Sequence, residues 1–155
     1  MAEPVAYLYT REELTSTLQC FKEDHKLVAE GKGFRLGSPF TIKAVMIGIN
    51  LAMLTFSLTE WGWDSTMSAL TNWALILETL HLIASIRCGL DPAAGKKWLV
   101  FHHISFETLC PFNLIVVSIY WLVLREEVVR TWCPTLTTWM HTTLVHILPM
   151  LFNLI

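Results

Sequence analysis

The stretch 68-SALTNWALILETLHLIASI-86 decides the fold. It is an almost unbroken apolar run, and about 20 such residues in a helix cross the hydrocarbon core of a bilayer. Yet it carries Thr71, Asn72, Glu78 and His81. A charge at the bilayer centre costs at least ~2.5–3.5 kcal/mol, so ionisable groups there are expected to face other helices or a water-filled cavity. On a helical wheel, Thr71, Ala74, Glu78 and His81 form one stripe, with Trp73, Leu77, Leu80 and Ala84 on the opposite, apolar face.

Composition agrees with a membrane setting. Of 155 residues, 54% are hydrophobic and only 15% charged, whereas a soluble domain carries about a quarter charged residues. The formal net charge of −2 and the lack of a long basic cluster argue against a nucleic-acid partner. Cys20, Cys88, Cys110 and Cys133 make no CxxC pair and suggest neither a zinc site nor a disulfide framework. Glu3, Glu12, Glu13, Glu23 and Asp24 argue against a secretory signal or an Arg-rich transit peptide.

Residues 1–39 read as a polar cap. Within it, Thr10 and Glu13 have capping-box spacing before a short amphipathic helix. Residues 40–155 then read as an all-α integral membrane bundle of four transmembrane helices, at about 40–59, 67–86, 98–124 and 138–155. The third is overlong, and Pro111 is its expected kink. The fourth ends without a polar flank, as if covered by a partner or belonging to a shortened chain. Lys32, Arg35 and Lys43 precede span one, and Arg87, Lys96 and Lys97 lie between spans two and three. These place the N-terminus on the positive-inside side. Trp61, Trp63, Trp98, Trp121, Trp132 and Trp139 stand near span ends, as an interfacial belt requires. The expected location is a multi-pass position in an endomembrane or the mitochondrial inner membrane.

Three readings of the intramembrane polar groups compete. In the first they glue the bundle, each interhelical hydrogen bond worth about 0.6 kcal/mol. In the second, Glu78, His81, His103, Glu107 and one span-four histidine bind iron or zinc. Glu78 and His81 have Glu-x-x-His spacing, but span three reads His103-x-x-x-Glu107, reversed, so no metal or other cofactor is expected. In the third, the Thr71 hydroxyl is a nucleophile activated by His146 or His141, because a hydroxyl needs a base to take its proton. Those two histidines are five residues apart and point about 140° apart on a helix, so they cannot aim at one spot.

The order of three motifs weighs on this choice: "LTNW" opening span two, "ETLCPFNLIVVSIYWLVLREE" in span three and "WMHTTLVHILPML" in span four. Over roughly residues 66–155 they resemble the androgen-induced, rolling-stone-like family of multi-pass membrane proteins, which includes the androgen-dependent TFPI-regulating protein. The resemblance implies an intramembrane threonine hydrolase that cleaves fatty acid esters of hydroxy fatty acids. It places the nucleophile on Thr71. The family histidine falls on His141 by the string "MHTT", or on His146 by its distance to the C-terminal run and to Pro149, and His146 fits better. Glu78 or His103 is the candidate to orient the base. Glu78, His81 and Glu107 lie outside the family pattern, and the family has more spans than this chain's four. The chain is therefore expected to be an accessory or structural subunit of a larger membrane complex, with other membrane subunits as partners. The alternative is a Thr/His hydrolase acting on a lipid ester.

Overall fold

A computed structural model describes residues 38–91 and 96–152, together with Lys22, Lys26, Glu30 and Leu36. The expected amphipathic N-terminal helix and the extreme C-terminus lie outside the described residues. Within them the chain is helical, with no strand. Helix α1 spans Pro39–Ser68, α2 Leu70–Leu90 and α3 Lys96–Ile119. A π-helical turn, Tyr120–Leu124, leads directly into α4, Arg125–Trp132; α5 is Leu136–Val145 and α6 Leu148–Phe152.

Local chemistry explains the boundaries. Ser38 caps α1, its Oγ accepting from the Thr41 N–H at 3.3 Å, and Pro39 opens the helix where its missing N–H costs nothing. Gly62, at φ 72°, breaks α1 internally, a conformation for which glycine lacks the steric penalty of other residues. The expected loop over 60–66 is therefore a kinked helix end. One extended residue, Ala69, then joins α1 to α2. The third helix runs on through Pro111; its departure from α geometry comes later, at the π turn.

Among the described residues three helices, not four, are long and apolar enough to cross a membrane: Pro39–Ser68, Leu70–Leu90 and the continuous run Lys97–Thr131. The expected fourth span is broken. Thr135 starts α5 with a capping box, but α5 ends after 10 residues, about 15 Å of helix or half the hydrocarbon thickness. The cause is Pro149. It has no N–H to offer the Val145 carbonyl and its ring crowds that position. The chain turns instead at His146–Ile147, with the Ile147 N–H reaching back only to the Leu144 carbonyl at 3.0 Å.

α2 is the central helix, packed between α1 and α3. The bundle buries an unusual number of polar side chains among its apolar core and turns large apolar ones outward. Asn50, Ser57, Asn72, Glu78, Thr79, Ser105 and Asn113 are buried, while Val45, Leu51, Leu80, Ile83, Leu114, Ile115, Leu122 and Val123 face outward. An aqueous fold would invert that arrangement; in a bilayer it hides polar groups from lipid. The chain is thus an integral membrane protein by the length, hydropathy and burial pattern of its helices.

Burial also corrects two expectations. Ala84, expected on the apolar outer face of α2, is fully buried, because α2 is covered from both sides. Glu107, grouped with His103 in the metal reading, is exposed. The inward stripe of α3 is instead Ser105, Leu109, Asn113 and Val116, continued by Tyr120 of the π turn. It lies two residues, some 200°, from the Glu107 position.

Candidate functional site

The corner between α1 and α2 is stapled by Asn72. Its Nδ2 donates to the Thr66 carbonyl at 2.9 Å, so its Oδ1 is turned to accept from Ser57 Oγ at 3.3 Å. The neighbouring Thr71 is set at the first turn of α2, facing the break in the fourth segment. There, Thr71 Oγ1 lies 2.9 Å from His146 Nε2.

The hydrogen-bond partners assign the protons. His146 Nδ1 lies 2.6 Å from the Thr142 carbonyl oxygen. A carbonyl only accepts, so Nδ1 carries the hydrogen and, in the neutral imidazole, Nε2 presents a lone pair to Thr71. Thr71 donates; His146 accepts. That is the polarity a hydroxyl nucleophile and its base require. The Tyr120 ring stacks on the imidazole with centroids 3.6 Å apart and planes 13° apart. Tyr120 is the first residue of the π turn, and such turns re-aim side chains, often at functional sites.

His141 makes a different pair. Its Nε2 lies 3.0 Å from Ser57 Oγ, and its ring packs against Phe56 and Trp61. Ser57 gives its proton to Asn72 Oδ1, so His141 Nε2–H donates to Ser57. The resulting chain, His141 to Ser57 to Asn72 to the Thr66 carbonyl, holds the corner rigid and leaves His141 with no proton to take from Ser57. The two histidines meet different hydroxyls, as their angular separation demands.

Both pairs open on one cavity of about 440 Å³. Its polar wall includes Ser57, Ser65, Ser68, Thr71, Asn72, His141, Thr142 and His146; its apolar wall includes Trp61, Leu70, Val116, Ile119, Leu124, Val128 and Val145.

The remaining expected site residues do not join this group. Glu78 is buried and accepts from Asn113 Nδ2 at 3.3 Å. His81 Nδ1 lies 2.8 Å from Ser105 Oγ, which itself donates to the His102 carbonyl, and the His81 ring stacks on that of His102. His103 sits edge-on to His102, half-buried, and Glu107 faces outward. Among the described residues, no three or more His, Cys, Asp or Glu side chains are grouped to hold a metal ion. Glu78 accepts from Asn113 and His103 lies against His102, while the Thr142 carbonyl holds the His146 ring, since the helical i to i−4 reach brings it there without any second side chain.

Sequence reasoning missed Ser57 and the stacking role of Tyr120. A signal for Ser57 exists: Met46, Asn50, Met53 and Ser57 recur at helical spacing, a polar pair seven residues apart on one face of an otherwise apolar helix. Compared with known proteins, the chain matches no family model, no curated protein and no solved structure.

Proposed function

We propose that the chain is an intramembrane hydrolase of lipid esters, with Thr71 as nucleophile and His146 as general base. The observation that carries this reading is the 2.9 Å contact between Thr71 Oγ1 and His146 Nε2, its polarity set by the Thr142 carbonyl, at the wall of a largely apolar cavity. The resemblance to the androgen-induced family points to the same pair.

The chemistry follows from the geometry. His146 Nε2 takes the Thr71 proton as Oγ1 attacks the ester carbonyl. The proton then passes to the departing alkoxide, leaving the acyl group on Thr71. Water attacks that ester, gives its proton to His146, and the C–O bond to Thr71 breaks as Oγ1 recovers a proton. The apolar wall of Val116, Ile119, Leu124 and Val128 suits an acyl chain. Trp61 and Ser65 line the cavity next in sequence to Glu60 and Asp64, which suits an ester held at the headgroup boundary. That end of the bundle is opposite Lys43 and Arg87, so with the N-terminus on the positive-inside side the cavity opens toward the other side.

The expectation of a non-catalytic subunit rests on sequence features alone, and a mild-detergent purification separates the two readings. A chain that migrates alone or as a small homo-oligomer, and whose labelling by a fluorophosphonate probe disappears in Thr71→Ala, supports the hydrolase. Fixed membership of a large complex with no Thr71-dependent labelling rejects it.

A further inference from the structure

Three helices repeat their polar positions seven residues away from the site. Ser57 is matched by Asn50 on α1, Thr71 by Glu78 on α2, and Tyr120 by Asn113 on α3. Seven residues bring each helix back to nearly the same face, about 10.5 Å deeper. The Ser57–Asn72 hydrogen bond and the packing of Met53 on Leu75 fix the antiparallel register of α1 and α2, which sets Asn50 level with Glu78 and Thr79. Asn113 Nδ2 ties this second layer together by donating to Glu78 Oε2 and to the Pro149 carbonyl, each at 3.3 Å.

The layer is not closed on itself. Asn50 is fully buried, yet neither its Nδ2 nor its Oδ1 has a hydrogen-bond partner in the protein, and Asn113 Oδ1 is equally bare at 1% exposure. A sealed amide atom without a partner bears its whole desolvation penalty, and the lipid around the bundle supplies none. The unpaired set contains one donor and two acceptors. A cation would satisfy the acceptors and repel the Asn50 N–H. A water molecule both donates and accepts, and it suits polar sites offering two to four partners.

We propose that Asn50, Glu78 and Asn113 form a buried water-binding site two helical turns beneath Thr71, and that it supplies the water that cleaves the acyl-enzyme. The first half stands on the geometry alone; the second rests on the hydrolase reading. While an acyl chain fills the cavity, Ser57, Asn72 and His141 are tied to one another, and the layer beneath Thr71 holds water by atoms that have no other partner, on the bundle side of the ester. Between the two layers the Thr71–Glu78 stripe presents Ala74, the smallest side chain available there. Water rising along it attacks the acyl carbonyl and gives its proton to His146 Nε2, and the Thr71 Oγ1–acyl bond breaks.

The test uses the full chain in phospholipid bilayers with ¹⁵N-labelled asparagine and leucine. In water-edited solid-state NMR, magnetisation from water reaches the Asn50 and Asn113 side-chain amides at least three-fold faster than the backbone amides of buried Leu75 and Leu109. Asn50→Leu and Asn113→Leu assign the signals. Transfer as slow as at those leucines overturns the site. For the supply role, the acyl-enzyme is offered hydroxylamine as a rival to water. Asn113→Leu should shift product from free acid to hydroxamate about five-fold with acylation unchanged, and Asn113→Ser, which keeps a polar anchor, should restore the wild-type ratio. An unchanged ratio in Asn113→Leu overturns the supply role. A chain that never acylates rejects the hydrolase reading and with it the supply role, while the NMR measurement still decides the water site.

Discussion

Thr71→Val isolates the hydroxyl. Valine keeps the β-branched shape and removes only Oγ–H, so its cost to folding is one hydrogen bond to His146. Such bonds average about 0.6 kcal/mol in bilayers and rarely exceed about 1.5 kcal/mol in proteins generally. At roughly 2–4 °C per kcal/mol for a chain of this size, the melting point falls by no more than about 6 °C. Activity should behave differently. Proton transfer by a positioned base is by itself worth roughly 10²–10⁴-fold, so losing the nucleophile costs at least that. His146→Ala should fall in the same range, and the double variant should be no worse than either single one, because the two residues act as a unit. His141→Ala should lose less than about ten-fold, below the range for a base, because His141 donates to Ser57 instead of accepting. The assay is release of free acid from a long-chain acyl ester in vesicles, followed by mass spectrometry, with thermal unfolding read from tryptophan fluorescence. Thr71→Val within ten-fold of wild type would refute the argument. So would His141→Ala matching His146→Ala, which would mean the protons had been assigned to the wrong ring.

Three further outcomes test the surroundings. Asn72→Leu keeps the branched shape but removes the staples to Thr66 and Ser57; about 1–3 kcal/mol of stability should go, and displacement of Thr71 by about 1 Å should cost on the order of 10²-fold in rate, both measurable on one preparation. Tyr120→Phe should keep the imidazole stack and most of the turnover, whereas Tyr120→Ala should lower turnover with little change in substrate affinity; equal loss in both would assign the role to the phenol hydroxyl. In a Cys20→Ser background, a lipid-soluble maleimide should modify exposed Cys110 and leave buried Cys88 and Cys133 intact, with the sites read by peptide mass mapping.

Much of the fold follows from one dimension of information. Apolar runs of bilayer length and the alternation of polar and apolar faces locate three spanning helices, because the bilayer forces every backbone group to be satisfied within its own helix. The Thr71–Glu78–His81 stripe could be read the same way, and all its polar members lie on the packed side of α2. The fourth segment misled because hydropathy is blind to Pro149. Its composition suits a span, but the missing N–H divides it into two short helices.

The amino-acid order, then, determined the membrane setting, the long helices and the residue types able to do chemistry. Tertiary structure decided which of them meet. The choice of His146 over His141 for Thr71 depends on a helix break, on the Thr142 carbonyl fixing a tautomer, and on Asn72 turning its amide toward Thr66. The outward rotation of Glu107 depends on which face of α3 packs against α2. The helix break, the Thr142 contact and the Asn72 staple are local to their own segments. What packing alone decides is that Thr71 and His146, far apart in the chain, meet, and which face of α3 turns inward; periodicity within one helix carries no information about either.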